Sequence, residues 1–215
     1  MKIFIIGMHR AGTSMIAGIL RACGLDLGNV YLEGDDNNPK GYFEDRQFIQ
    51  INQNILFQNK GDWNIPPEHI WFYPDLKEEM LEFLNQWDSE KIVCLKDPRT
   101  CLTLPLWHKI ISPESIRAII SIRPISAIAK SLKKRDGISI QDGKKLTKFY
   151  IQSAFMSLYR LNIPFISASY NNFFRDWRLE LGPVLKFLDL NFPLDIKPIE
   201  DFVDINLWHQ ERVIW

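Results

Sequence analysis

The stretch KIFIIGMHRAGTSM, residues 2–15, constrains the fold more than any other part of the sequence. A short apolar run ends at Gly7, and Gly12 follows five residues later with two hydroxyl residues directly behind it. Glycines allow a tight turn that points backbone N–H groups inward, and a following helix adds unpaired N–H groups and a positive dipole end. The spacing therefore predicts a strand, a phosphate-binding loop and a helix, with Arg10 as a charged donor in the loop.

The loop lacks the lysine that nucleotide hydrolases place after the second glycine, and Thr13 stands there instead. Two interpretations follow from the loop alone. It binds a phosphate-like group that needs no such lysine, or it is a strand-to-helix turn that binds no ligand.

Four short apolar runs predict strands that are covered on both faces, as in a parallel sheet. They lie at 3–6, 92–95, 118–122 and 164–169. Helical patterns lie between them, so the order of elements predicts a three-layer α/β/α fold with a mainly parallel central sheet, similar to P-loop nucleotide hydrolases. The length predicts a single domain over residues 1–215.

Two segments rich in Gly, Asn and Asp, residues 25–44 and 136–143, predict loops. Long helices are expected over about 144–161 and 173–189, and Asp75 is expected to cap a helix that begins near Leu76. In an open parallel sheet, ligands bind beyond the carboxyl ends of the strands, where such loops collect.

Composition excludes some functions. Lysine plus arginine and aspartate plus glutamate each number 26, so the net charge is zero, which argues against a nucleic-acid-binding protein with a strongly basic surface. The three cysteines form no C-x-x-C pair and indicate reduced thiols. No apolar run approaches the roughly 18 residues of a membrane span, and the first apolar run is too short for a signal peptide, so a cytoplasmic protein is expected.

A second group of charged residues lies in IVCLKDPR, residues 92–99. The predicted strand ends in Lys96, Asp97 and Arg99, a set that suits an anion site. Asp97 is alternatively a Mg²⁺ ligand, as in nucleotide hydrolases, and the whole group is alternatively a surface salt-bridge cluster.

A third segment, SIRPISAIAKSL, places Arg123 at the end of the third strand and Pro124 at the first position of a helix. Ser131 follows Arg123 by eight residues, about two helical turns. This spacing alone is common and specifies no function.

Taken in order, these segments resemble those of the P-loop sulfotransferases, which use 3′-phosphoadenosine 5′-phosphosulfate (PAPS). The loop HRAGTS, residues 9–14, resembles that family's 5′-phosphosulfate loop, with Arg10 where many members have lysine. RPISAIAKS, residues 123–131, resembles its 3′-phosphate segment. NPKGYFED, 38–45, and KDPR, 96–99, resemble segments of its bacterial and carbohydrate- or protein-acting branches.

The resemblance implies an enzyme that transfers a sulfuryl group from PAPS to an acceptor hydroxyl or amine, releases 3′-phosphoadenosine 5′-phosphate (PAP) and needs no bound metal. Arg10 and Lys96 would stabilise the leaving phosphate, and Glu44 would accept the proton. The implied cofactor-binding residues are Arg10, Ala11, Gly12, Thr13, Ser14, Arg123 and Ser131. Asp97 would then orient Lys96 or Arg99 instead of holding a metal.

Several assignments stay open from the sequence. Asp45, His9 and His108 are alternatives to Glu44 as the base, and Tyr170 lies near the adenine or in the core. The aromatic residues Trp63, Trp71, Phe72 and Tyr73 contact a sugar or belong to the core. The basic run Lys130, Lys133, Lys134 and Arg135 attracts an anion or forms a solvated helix face.

The function also has alternatives. A small P-loop kinase for a nucleotide or metabolite and a non-catalytic nucleotide-binding protein of the same fold are the other two candidates. The acceptor is a small molecule, a carbohydrate, a lipid or a peptide, and the sequence indicates no oligomeric state. LWHQER, residues 207–212, is a weak substitute for the basic C-terminal stretch of cytosolic sulfotransferases.

Overall fold

The structure is a computed structural model that describes residues 1–28, 34, 35, 38, 40–87 and 91–203. Its strands are β1 (Lys2–Ile6), β2 (Val93–Lys96), β3 (Ile116–Ile122) and β4 (Phe165–Ser169). Its helices are α1 (Thr13–Ala22), α2 (Arg46–Gln58), α3 (Pro74–Leu84), α4 (Thr100–His108), α5 (Ile125–Asp136), α6 (Ile140–Arg160), α7 (Tyr170–Phe187) and α8 (Lys197–Phe202), with a 3₁₀ turn at Pro113–Ser115.

The strands form one parallel sheet in the order β2-β1-β3-β4. Phe4 at the centre pairs with Leu95 on one side and Ala118 on the other. Every residue of β1 is buried, because helices cover both faces of the sheet. The predicted mainly parallel sheet is confirmed.

Alternate residues of β1 enter two different cores, as the twofold period of a strand requires. Phe4 packs in the core that contains α2, α3, α4, α5 and α6, whereas Ile5 packs in the core that contains α1, α7 and α8. Two cores separated by one sheet make a three-layer α/β/α arrangement, which confirms the predicted fold class.

The topology fixes where a ligand would bind. Because β1 pairs with β2 on one side and β3 on the other, the chain leaves the sheet centre in opposite directions around one point. The carboxyl ends of these three strands lie side by side. They are followed by residues 7–12, 97–99 and 123–124, which are the segments that carry the charged motifs.

One predicted loop is partly wrong. Residues 136–143 do not all form a loop, because α6 begins at Ile140. The Ser139 hydroxyl caps this helix by accepting a hydrogen bond from Asp142 N–H at 3.1 Å. Gly143 lies inside the helix, where a Cβ would stand 3.2 Å from Ala129 Cα, so here glycine allows close helix packing instead of a turn.

The predicted cap of α3 is also wrong. Tyr73 is the residue before the helix, Pro74 is its first residue and Asp75 lies in the first turn. Pro124 is one residue earlier than expected, directly before α5. Within the described ranges, no helix combines the length and apolar character that crossing a membrane requires.

Candidate active site

The loop between β1 and α1 has a conformation that its sequence explains. Gly12, directly before α1, has a φ of 97°, and a Cβ there would lie 2.1 Å from Cδ2 of Tyr170. Both the backbone angle and the ring require a glycine. Arg10 also has a positive φ of 68°, which is uncommon for a residue with a side chain and is typical of functional loops.

The loop presents backbone donors. Ala11 N–H donates to Met8 O at 2.9 Å, so it is already used within the loop. The N–H groups of Gly12, Thr13 and Ser14 have no acceptor in the part of the chain that the structure describes. They lie at the N-terminus of a ten-residue helix, whose dipole favours an anion.

Two distant segments meet at this loop. Arg10 Nε donates to Ser131 Oγ at 2.8 Å, across 121 residues of sequence. Arg123 Nη1 donates to the Arg10 carbonyl at 2.7 Å, and Arg123 Cζ lies 4.5 Å from the centre of the Tyr170 ring. The structure therefore brings together the loop and the segment at β3 that the resemblance assigns to one nucleotide.

Arg123 has a further donor besides the Nη1 that contacts the Arg10 carbonyl. Its Nε is buried and has no acceptor among the described residues. Burial lowers the pKa of both Arg123 and Arg10. A half-buried guanidinium with a buried, unmatched Nε indicates a site for an anion. Tyr170 is buried against this pair and against Gly12, so it belongs both to the core and to the site.

Lys96, the last residue of β2, is buried and makes three contacts with its ammonium group. Nζ donates to Ser14 Oγ at 3.1 Å, to the Tyr42 carbonyl at 3.2 Å and to Glu44 Oε1. An ammonium has three donors, so all are engaged. Lys96 therefore reaches the loop through the Ser14 hydroxyl, whose own proton is donated to no described residue.

Glu44 and Asp45 are adjacent acids with different surroundings. Asp45 caps α2, and its Oδ1 accepts from Gln47 N–H at 2.9 Å and Phe48 N–H at 3.1 Å. Glu44 is buried beside Lys96 instead. Burial raises the pKa of Glu44, and the Lys96 charge opposes that rise. Asp45 thus has a structural role, whereas Glu44 faces the site.

Asp97 lies in a buried network, so the alternative of a surface salt-bridge cluster is wrong. Oδ1 accepts from Arg99 N–H at 3.0 Å and Arg99 Nη1 at 2.9 Å, and Oδ2 accepts from Asn52 Nδ2 at 2.9 Å. Asn52 Oδ1 in turn accepts from Thr103 Oγ1 and Trp107 Nε1. Asp97 therefore orients Arg99.

Sequence reasoning missed Asn52. The signal was present, because Asn52 lies one turn after Phe48 on the face of α2 that carries the apolar stripe. A fully buried amide on such a stripe needs hydrogen-bond partners, and a strand-end carboxylate is a suitable one.

The two histidines lie in different places. The His9 ring lies 4.5 Å from the Trp63 ring, and burial, reinforced by the Arg99 charge, holds the pKa of His9 well below its usual range. His9 is therefore neutral at pH 7. His108 is the last residue of α4, about 12 Å along the helix from Thr100, so it lies away from the loop.

The aromatic stretch divides between core and surface. Trp63 and Phe72 pack against the core, whereas Trp71 is 66% exposed and Tyr73 is 37% exposed. The contact of Trp63 with His9 places Trp63 next to the loop. The segment LWHQER, residues 207–212, lies outside the described residues, so its comparison with the basic C-terminal stretch stays a prediction.

Comparisons with known proteins identify the fold. No family model and no curated protein sequence matches the chain. A sulfotransferase domain from the curacin biosynthetic pathway matches with a TM-score of 0.56 and 13% identity, over 92% of this chain and 75% of that one. A sulfotransferase domain from the Synechococcus PCC 7002 olefin synthase matches with a TM-score of 0.52 and 14% identity, over 97% and 82%. The chain therefore has the fold of sulfotransferase domains, as its resemblance implied.

Proposed function

We propose that the protein is a sulfotransferase that moves a sulfuryl group from PAPS to an acceptor hydroxyl or amine. One observation carries this proposal: Arg10 Nε contacts Ser131 Oγ at 2.8 Å. The contact joins the two segments that the resemblance assigns to the two ends of one nucleotide. The shared fold supports the same function.

The residues at the loop fit a nucleotide with two phosphate-bearing ends. Gly12, Thr13 and Ser14 supply the backbone N–H groups that no described residue accepts, and these suit the 5′ end. Arg123, with its buried unmatched Nε, suits the 3′-phosphate together with Ser131. The 3′-phosphate distinguishes this nucleotide from other adenine nucleotides.

PAPS supplies the sulfuryl group, and the protein stabilises the negative charge that the departing 5′-phosphate acquires. The planar guanidinium of Arg10, which lies in the loop and contacts Ser131, is suited to that charge. Ser14 donates its proton to the same region. Lys96 acts through Ser14, because a hydroxyl that accepts from an ammonium is a stronger donor.

Glu44 accepts the acceptor's proton in this proposal. Its Oε1 accepts from Lys96, whereas Oε2 accepts a hydrogen bond from no described residue and is the oxygen that takes the proton. Burial raises the pKa of Glu44, which makes it a stronger base than an exposed carboxylate. Lys96 keeps it ionised before the transfer.

Calorimetry tests the proposed function against its alternatives. PAP is titrated in a chelating buffer, and ATP with Mg²⁺ is titrated in a parallel sample. A sulfotransferase binds PAP without metal more tightly than it binds ATP with Mg²⁺. Tight binding of ATP with Mg²⁺ and none of PAP would establish the kinase alternative instead. Binding of PAP without PAP release from PAPS, with any hydroxyl or amine acceptor, would favour a non-catalytic protein.

A further inference from the structure

The basic run at the end of α5 is not one uniform surface. Lys130, Lys133 and Lys134 are exposed, as expected of a solvated helix face. The Arg135 side chain is only 18% exposed. Arg135 therefore differs from its basic neighbours in direction and surroundings, and the proposed donor site does not use it.

Arg135 lies beside the phosphate loop. It follows Ser131 by four residues, so the two side chains lie one turn apart on the same face of α5. Ser131 contacts Arg10 from that face. Arg135 Cζ lies 5.6 Å from the centre of the Trp63 ring, and the same ring lies 4.5 Å from His9. Arg135 thus reaches the loop from the side of His9.

The Arg135 guanidinium keeps donors for a ligand. Its Nε donates to both carboxylate oxygens of Asp136, at 2.9 and 2.8 Å, which fixes the orientation of the plane. Its two Nη groups donate to no residue in the described ranges. The charge of Arg135 also contributes to the lowered pKa of His9 and of Arg10, which agrees with its position next to both.

The position of Arg135 relative to Arg123 separates it from the donor. Arg123 lies before the first residue of α5, whereas Arg135 lies in the last turn of that helix. Arg123 contacts Tyr170 and the Arg10 carbonyl, which is the proposed 3′-phosphate end. Arg135 instead packs on Trp63, whose ring contacts His9, and its charge also acts on Tyr42, two residues before the proposed base Glu44. A ligand at Arg135 therefore lies on the side of the loop where Glu44 lies.

We propose that Arg135 binds an oxyanion group carried by the acceptor, so that the preferred acceptors are hydroxyl compounds with a carboxylate, sulfate or phosphate on the same molecule. This assignment rests on the proposed function and adds the chemical class of the acceptor. The Nη edge of an arginine donates two parallel hydrogen bonds to such a group. Trp63 and Asp136 hold the guanidinium in place for that contact.

The test compares acceptors that differ only in charge. Suitable pairs are 4-hydroxyphenylacetate with its methyl ester, and methyl glucuronoside with its methyl ester. For each compound, kcat/KM is measured from PAP release, and the dissociation constant is measured with PAP-saturated protein. The variants are Arg135→Gln, Arg135→Glu and, as a matched control, Lys133→Gln, which removes an exposed charge from the same helix.

We expect the unchanged protein to prefer the charged member of a pair by about tenfold or more, since charge-assisted hydrogen bonds are the strong ones. Arg135→Gln should remove most of that preference, Arg135→Glu should reverse it, and Lys133→Gln should leave it. PAP affinity should stay within about twofold in Arg135→Gln and Lys133→Gln, because neither residue is among those assigned to the donor.

Three results would overturn this assignment. They are equal preference in the unchanged protein, a preference that survives in Arg135→Gln, and equal losses in Arg135→Gln and Lys133→Gln. If none of the charged compounds binds a protein that does bind PAP, the assignment of Arg135 is also contradicted. The proposed function is unaffected by that result. Failure to bind PAP contradicts the proposed function instead, and charge-dependent binding is then measured without PAP.

Discussion

The molecule has two polar regions at neighbouring strand ends, and they differ in how their hydrogen bonds are used. At β1 and β3, the N–H groups of Gly12, Thr13 and Ser14 and the Nε of Arg123 have no acceptors among the described residues. At β2, both oxygens of Asp97, the Asn52 amide and the Lys96 ammonium are matched by protein partners. Among the buried nitrogen atoms described in that region, Arg99 Nε has no partner.

The difference separates a region that is suited to binding a ligand from a region that holds other side chains in position. Unmatched buried donors cost free energy unless a ligand satisfies them, so the first region is suited to an anion. Matched buried networks are rigid and specify one arrangement, so the second region holds Glu44 and Ser14 in position. Substitutions in the first region should therefore affect ligand binding and transfer, whereas substitutions in the second should affect stability. Glu44 is the test of that division, because it belongs to both.

Glu44→Gln should have the largest effect. Loss of the base should reduce kcat by about 10²–10⁴-fold, as is typical of general bases, while PAP binding stays within a few-fold. The substitution also leaves Lys96 without a buried charge partner, which should destabilise the fold by about 3–5 kcal/mol. Rates from PAP release and thermal unfolding measure the two effects.

The double variant Glu44→Gln with Lys96→Met separates those effects. It removes both members of the buried pair, so much of the stability should return. Transfer should not return, because neither the base nor the contact of Lys96 with Ser14 is restored. If transfer recovers together with stability, Glu44 is only the structural partner of Lys96.

Arg10→Ala should reduce kcat by about 10²–10³-fold, the usual cost of one donor to a developing negative charge. Arg10→Lys should keep part of the rate, because lysine provides a charge but not the planar donor set. Steady-state kinetics with PAPS measures both variants. A loss confined to KM, with kcat unchanged, would mean that Arg10 only binds the donor.

Asn52→Ala should lower the free energy of unfolding by about 2–4 kcal/mol, because it leaves buried partners of Asp97, Thr103 and Trp107 unmatched. Gln53→Ala is the matched control, since Gln53 is exposed on the same helix and should change stability by about 0.5 kcal/mol or less. Denaturant unfolding measures both. Loss of PAP binding in a folded Asn52→Ala protein would contradict the separation of the two regions.

Gly12→Ala should lower stability by about 2 kcal/mol or more and weaken PAP binding, because the methyl group meets the Tyr170 ring and the backbone has a positive φ. Gly24→Ala has the cost of a side chain at positive φ, since the φ of Gly24 is 89°. It has no steric cost, because no atom lies within 4 Å of the added Cβ. The Gly24→Ala protein should lose about 1–2 kcal/mol of its free energy of unfolding and keep its PAP affinity. Equal effects in both would show that Tyr170 does not restrict the loop.

The pH dependence should show the smallest effect. Transfer requires an ionised Glu44, so kcat should fall as pH decreases through its pKa. Because burial raises that pKa, the acid limb should lie above 4.5, the ordinary value of a glutamate. Glu44→Gln should remove the limb from the residual rate. A limb that persists in the variant belongs to another group.

The sheet could be predicted from the sequence because short, continuous apolar runs in a chain of this length have few possible structures other than buried strands. The runs at 3–6 and 118–122 correspond to β1 and β3, with small shifts at their ends. The beginning of α6 could not be predicted, because Asp142 and Gly143 favour a turn locally. Packing of Gly143 against Ala129 overrides that preference.

The site could be predicted only as a set of separate motifs. The sequence predicted that the loop, Lys96 and Arg123 lie near one another. Each lies at the end of a predicted strand, and the carboxyl ends of parallel strands meet at one edge of the sheet. The direction of each side chain depends on tertiary contacts that no local pattern specifies. The three bonds of the Lys96 ammonium and the different direction of Arg135 from its lysine neighbours are examples. The roles of these residues and the single domain over 1–215 stay predictions.

The most direct test of the central claim measures what the 3′-phosphate contributes to binding. PAP and adenosine 5′-monophosphate are titrated in chelating buffer into the unchanged protein and into Arg123→Met. We predict that the unchanged protein binds PAP at least about tenfold more tightly, since a guanidinium–phosphate pair is charge-assisted, and that Arg123→Met loses most of that difference. Equal affinity for the two nucleotides in the unchanged protein would contradict the assignment of this site to PAPS.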